Sequence, residues 1–228
     1  MQWGVPRDKP RVLLKLKLFL GNPCISQKDC ASLHGSLKHI CFVYHDAHCA
    51  LPALSQHFVK VPEHYVLHHI PQAITTDLNL WLTCLTGPAV THSLLPRQCL
   101  DPNSHIEVSS FGLRFAFKNW YVGWHLVDGW AAEGQDIGWD ESVALELAIY
   151  WLIQMGFHDA DITMHLDNTD VIGAFSNRRS HNPAWNYCLH RMTSSLIPAS
   201  ITISPKYVPS HENLAVPTSC GQFDKYIA

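Results

Sequence analysis

Apolar residues recur at helical spacing through the first hundred positions and give way, from about Asp101, to the alternation expected of strands. Amphipathic stretches over residues 11–20, 27–44, 51–58 and 74–85 predict four helices, punctuated by Pro52, Pro62, Pro71 and Pro88. The Leu14-Lys15-Leu16-Lys17-Leu18 alternation also suits a strand, although Val12, Leu13, Leu16 and Leu20 share one helical face. Beyond Asp101, three antiparallel strands are predicted over 105–109, 113–118 and 121–127, with a turn at Lys118-Asn119. An almost continuously apolar helix over 143–153 follows, with Asp140 as its expected N-cap and Gly156 where a left-handed residue would end it. A strand over 162–167, helices over 169–175 and 184–196, the latter ending at Pro198, and a strand over 201–208 complete the pattern. Three meander strands, then helix, strand, two helices and a strand, predict an α/β unit with a mixed sheet flanked by helices.

Charge divides the chain at the same place. Residues 1–100 carry nine Lys+Arg against five Asp+Glu, and residues 101–228 carry seven against fourteen, within a total of 228 residues and a net charge of -3. A helical region over 1–100 and an α/β region over 101–228 are therefore expected. At 47% hydrophobic and 15% charged the chain has the composition of a folded protein. The longest apolar run, 143–153, contains Glu146 and is too short to span a bilayer. Lys15 and Lys17 spoil any signal-peptide core near the N-terminus, and the eight cysteines form no CxxC pair, so an intracellular chain, cytoplasmic or nuclear, with reduced thiols is expected.

Three carboxylates stand out against these elements. Glu146 interrupts the apolar helix, where burial requires a partner, a proton or a cation, unless the face of Ser142, Glu146 and Tyr150 meets solvent. Asp167 ends a strand just before a helix, a place for capping or for chemistry, and Glu107 lies on the strand face opposite Ile106 and Val108. Carboxylates gathered at a sheet crevice repel one another unless divalent cations neutralise them, and oxygen-only donors suit magnesium or manganese. Two such metals form the usual machinery for cutting a phosphodiester with an activated water.

The stretches Ile106-Glu107-Val108-Ser109-Ser110, 136–148 around Glu146, and 166–175 from Leu166-Asp167-Asn168, with Arg178-Arg179-Ser180-His181-Asn182 and Tyr207-Val208-Pro209-Ser210-His211-Glu212-Asn213-Leu214-Ala215, resemble the ribonuclease H domain of retrotransposon reverse transcriptases, particularly fungal elements. The first hundred residues, most recognisably 31–39, resemble the connection segment that precedes that domain in such polyproteins. The resemblance implies a ribonuclease H-like five-stranded mixed sheet, hydrolysis of the RNA strand of an RNA/DNA hybrid by two metals, and association with the polymerase part of a polyprotein. It also implies four acidic metal ligands. Glu146 and Asp167 are assigned to two, while Glu107 fills an Asp position with a longer side chain and Val216 fills the fourth with no ligand. Glu212 and Asp224 are the carboxylates left that could substitute, and Cys220 stands where relatives carry Arg.

His211 matches a loop histidine that assists water delivery or product release in such enzymes, and Arg178, Arg179, Asn182 and Asn186 suggest a phosphate-contacting patch. Trp120, Trp124, Trp130, Trp139, Trp151 and Trp185 are candidates for base stacking or for the core. With two of four ligand positions altered, hydrolysis is expected to be lost or severely reduced, leaving a nucleic-acid or protein interaction module as the alternative. The polymerase signature, an aromatic-x-Asp-Asp turn, does not occur. A separate set, Cys24, Cys30, His34, His39, Cys41, His45, His48 and Cys49, is dense in zinc-ligand types but matches no finger spacing.

Overall fold

A computed structural model describes residues 8–61, 64–87, 99–110, 112–118, 120–127, 129–130 and 135–216, together with the backbone of 2–3 and 92–93. The chain divides into two compact units, Met1–Leu95 and Pro96–Ala228. Cys220 and Asp224 lie outside the described residues.

In the first unit the elements are β1 (Gln2–Trp3), α1 (Lys9–Leu20), β2 (Cys24–Ser26), α2 (Gln27–Ile40), a 3-10 turn His45–Ala50, α3 (Pro52–Lys60), β3 (Leu67–His69), α4 (Gln72–Thr86) and β4 (His92–Ser93). The weakly patterned stretch over 11–20 is thus helical, burying Val12, Leu16 and Phe19 at turn spacing and leaving Leu14 and Leu18 exposed. Ser26 caps α2 by accepting from Asp29 N–H, and Cys30, Leu33, Leu37 and Ile40 form its buried stripe. Trp81 of α4 is fully buried, and its indole N–H donates to the Ala50 carbonyl at 3.0 Å. The expected second helix stops at Ile40, because 41–44 turn into the 3-10 segment. Cys30 and Cys49 belong to this helical core, and the Cys24 sulfur faces His69 Nδ1 at 3.6 Å.

The second unit contains β5 (Cys99–Ser109), β6 (Gly112–Phe117), β7 (Trp120–His125), α5 (Ile137–Gln154), β8 (Asp161–Leu166), α6 (Thr169–Asn177), α7 (Pro183–Ala199), β9 (Thr202–Tyr207) and a 3-10 turn Ser210–Glu212. Its sheet has the order β7-β6-β5-β8-β9, with β5/β6 and β6/β7 antiparallel and β5/β8 and β8/β9 parallel. This is the five-stranded mixed sheet expected of the α/β region. The first strand begins earlier than its alternation suggested, at Cys99, because a register shift between Leu100 and Ser104 interrupts the period.

Alternation sends Ile106, Val108, Leu113, Phe115 and Phe117 to one face, where Phe115 and Phe117 meet Trp151 of α5 at ring distances of 5.4 and 5.2 Å. His105, Glu107, Arg114 and His165 line the other, with the register partners His105 and His165 stacked at 4.7 Å. Two expected helix ends move. Asp136, not Asp140, caps α5, accepting from Trp139 N–H at 2.8 Å and from the Trp185 indole at 3.0 Å. Pro198 lies inside α7 rather than beyond it, in the last turn, two residues before left-handed Ser200 ends the helix. Among the described residues no helix is long and apolar enough to cross a membrane.

Candidate functional site

The parallel register that pairs His105 with His165 brings Glu107, two residues on, beside Asp167, which follows the last residue of β8. Their carboxyl groups are close enough to share a hydrogen bond. Burial, then the neighbouring Asp167 and Glu141 carboxylates, push Glu107 up to about 7. Glu141, near the N-terminus of α5, is pushed up to about 7 by burial and by Asp167 and Asp140, against a hydrogen bond with Asn168 that favours its charged form. One carboxylate from the first long strand, one from the helix and one after the fourth strand of the sheet therefore converge.

The segment after β9 closes this cluster. Buried Asn213 donates from Nδ2 to the Ile106 carbonyl and to Glu107 Oε2, each at 2.8 Å. Ser210 donates its hydroxyl to Asp167 Oδ2 at 2.5 Å. Asp167 is not the cap of α6; Asn168 fills that role, accepting from the Asp170 and Val171 N–H groups at 2.9 and 3.2 Å.

Glu146 stands elsewhere. It is buried against α7, where Arg191 donates from Nε and Nη2 to its two oxygens at 2.6 and 2.7 Å and the Tyr150 hydroxyl donates at 2.7 Å. Glu141 and Glu146 are five residues apart, about 140° around a helix, so one helix cannot turn both to the same crevice. The charged residue inside the apolar run is accounted for by an ion pair, and Glu141 is the helical carboxylate that joins Glu107 and Asp167. Sequence reasoning favoured Glu146 because it was conspicuous. The signal for Glu141 was its place three and four residues before the buried Ala144 and Leu145.

The phosphate patch is likewise rearranged. Arg178 is buried, adopts a left-handed conformation at the end of α6, donates to the Phe175 carbonyl at 2.5 Å and lies 3.8 Å over the Phe175 ring. Asn182 caps α7 through Ala184 N–H. Asn186 holds the preceding loop by exchanging hydrogen bonds with both backbone groups of Ser180. Of the four, Arg179 alone is exposed. His211 is exposed and faces Glu212 at 3.4 Å, in the same turn as Ser210. Trp151 and Trp185 serve the core, whereas Trp120 is 70% exposed.

Magnesium or manganese needs carboxylate oxygens presented to a common point. Here Glu107 and Asp167 face each other, Asn213 and Ser210 occupy one oxygen of each, and Val216 offers no donor. Among the described residues no group of three or more His, Cys, Asp or Glu is arranged to hold a metal ion, which covers both this cluster and the Cys/His-rich segment 24–49. The residues present do not fit the metal pair implied by the resemblance. Comparison with protein-family models, curated proteins and solved structures finds no match to the chain.

Proposed function

We propose that the second unit is a ribonuclease H-like domain of retrotransposon type that has lost hydrolysis of the RNA strand of RNA/DNA hybrids and persists as a non-catalytic interaction module. The observation that carries this reading is the convergence of Glu107, Glu141 and Asp167 from the first long strand, the helix and the end of the parallel strand, with those carboxylates closed by hydrogen bonds. The sheet order β7-β6-β5-β8-β9 supports it, because it is the order in which such a domain lays three antiparallel strands beside two parallel ones. Loss of chemistry follows from two departures: the extra methylene of Glu107 and the apolar side chain of Val216. The burial of Arg178 and the net negative charge of this half leave little to grip a polyanion, so affinity for a hybrid is weak.

The test is cleavage of a labelled RNA/DNA hybrid in magnesium and in manganese. The native chain should leave it intact, and Glu107→Asp plus Val216→Asp should cut the RNA strand. Cleavage by the native chain would overturn the proposed loss. Silence of a folded double variant would overturn the ribonuclease H-like reading of the site.

A further inference from the structure

The short ladder of β2 and β3 in the first unit sets a thiol against an imidazole. Cys24 and His69 are antiparallel register partners, so their side chains leave the ladder on one face, and Cys24 Sγ lies 3.6 Å from His69 Nδ1. Backbone bonds fasten the two strands at both ends. Ile70 N–H donates to the Pro23 carbonyl at 3.2 Å, and Lys28 N–H donates to the His64 carbonyl at 3.1 Å. Ile25, 4% exposed, anchors the opposite face. Cys24 is half-buried and His69 exposed, so a solute can reach the pair that the ladder holds together.

The thiolate, not the thiol, is the nucleophile, and an adjacent base that takes the S–H proton supplies it. The other described cysteines lack this combination of access and base. Cys30, Cys84 and Cys188 are buried, and burial pushes their thiols up to about 11, 12 and 11. Half-buried Cys41 is pushed up to about 12 by the same cause, and Cys49 is buried. Cys99 is exposed, but its Sγ faces the Thr163 hydroxyl, at 3.6 Å, which is not a base.

We propose that Cys24, with His69 as its base, is a reversible oxidation site that takes a hydroperoxide and then a low-molecular-weight thiol. His69 Nδ1 takes the S–H proton, the thiolate attacks one oxygen of hydrogen peroxide, and the O–O bond breaks. The departing hydroxide recovers the proton from His69 and leaves as water. Sulfur is thereby oxidised to a sulfenic acid by the two electrons that reduce the peroxide. A thiol of the glutathione class then forms a mixed disulfide with Cys24, the sulfenic hydroxyl leaving as water with the thiol's proton, and a further thiol restores Cys24 by exchange. The site lies in the first unit and does not rest on the ribonuclease H-like reading.

The experiment is treatment of the full, reduced chain with hydrogen peroxide at neutral pH, with glutathione as the trap and peptide mass spectrometry as the readout. Cys24 should be modified severalfold faster than Cys99, the exposed reference thiol within the same chain. His69→Ala should slow Cys24 severalfold at neutral pH and far less above about pH 9, where hydroxide removes thiol protons unaided, while Cys99 keeps its rate. His69→Asn keeps a hydrogen-bonding side chain without a basic nitrogen and should behave like His69→Ala. Because His69 is exposed, neither variant removes a core contact. Equal rates at Cys24 and Cys99 in the native chain would overturn the proposal, as would a Cys24 rate at neutral pH that either variant leaves unchanged. None of these outcomes depends on hybrid cleavage, so the two proposals fail separately.

Discussion

Arg191 grips Glu146 through both carboxylate oxygens, with its Nε and Nη2 donating at 2.6 and 2.7 Å, and thereby fastens α7 to α5. The Glu146 side chain is 5% exposed and that of Arg191 50%, so the pair has a buried end and a wet end. Removing the guanidinium strands the buried charge, which costs more than the pair is worth in place. Arg191→Ala should therefore destabilise the chain by roughly 2–4 kcal/mol, with part of the full buried-pair cost relieved by solvent at the wet end. Urea unfolding checks this. Loss of less than about 1 kcal/mol would place the pair among ordinary surface ion pairs.

Two adjacent residues after β8 have opposite duties, and their variants should separate. Asn168 caps α6, so Asn168→Ala should cost about 1 kcal/mol. Asp167 repels Glu107 and Glu141, so Asp167→Asn should leave stability unchanged or raise it, read in the same urea assay.

Stability should fall as pH rises through the window set by the two glutamates. In the folded chain Glu107 and Glu141 keep their protons up to about 7, against an ordinary value of 4.5, so the native state binds more protons between those limits. His105 works in the opposite sense. Burial and stacked His165 hold it down to about 4, so its contribution grows as pH rises from about 4 to 6.5. The glutamate part is isolated by Glu107→Gln, whose amide can donate to Asp167 while its carbonyl accepts from Asn213, as the protonated acid does. Melting temperatures of variant and native chain should agree near pH 4 and diverge above pH 7, where the variant should melt higher.

Close packing at the start of α5 gives a steric test. A methyl group at Gly138 would run into the Trp185 ring, whose indole N–H is tied to the Asp136 cap. Gly138→Ala should therefore cost about 1–3 kcal/mol despite its better helix propensity. A stabilised variant would mean that Trp185 moves freely aside.

Much of the second unit was legible because its strands alternate cleanly and its helices carry strong periodic signals. Ile106-Glu107-Val108 read correctly as a strand with Glu107 on the polar face, and Asp167 read correctly as a strand-end carboxylate. What failed was rotation around α5. An apolar run shows that a helix is buried but not which of two glutamates meets the sheet, because Glu146 found its counter-ion 45 residues away on α7. Arg178 misled for a related reason. Adjacent arginines look solvated in sequence, yet one of them closes the end of α6 over Phe175. Asn213 and Ser210 were beyond reach, since their roles depend on contacts spanning 106 and 43 residues.

The central claim is that Glu107, Glu141 and Asp167 face one another while Glu146 does not. Carbon-detected NMR titration of the glutamate side chains tests it directly. Glu107 should titrate near pH 7 in the native chain and move down toward the ordinary carboxylate range in Asp167→Asn. A Glu107 midpoint near 4.5 in the native chain, unmoved by Asp167→Asn, would contradict the account.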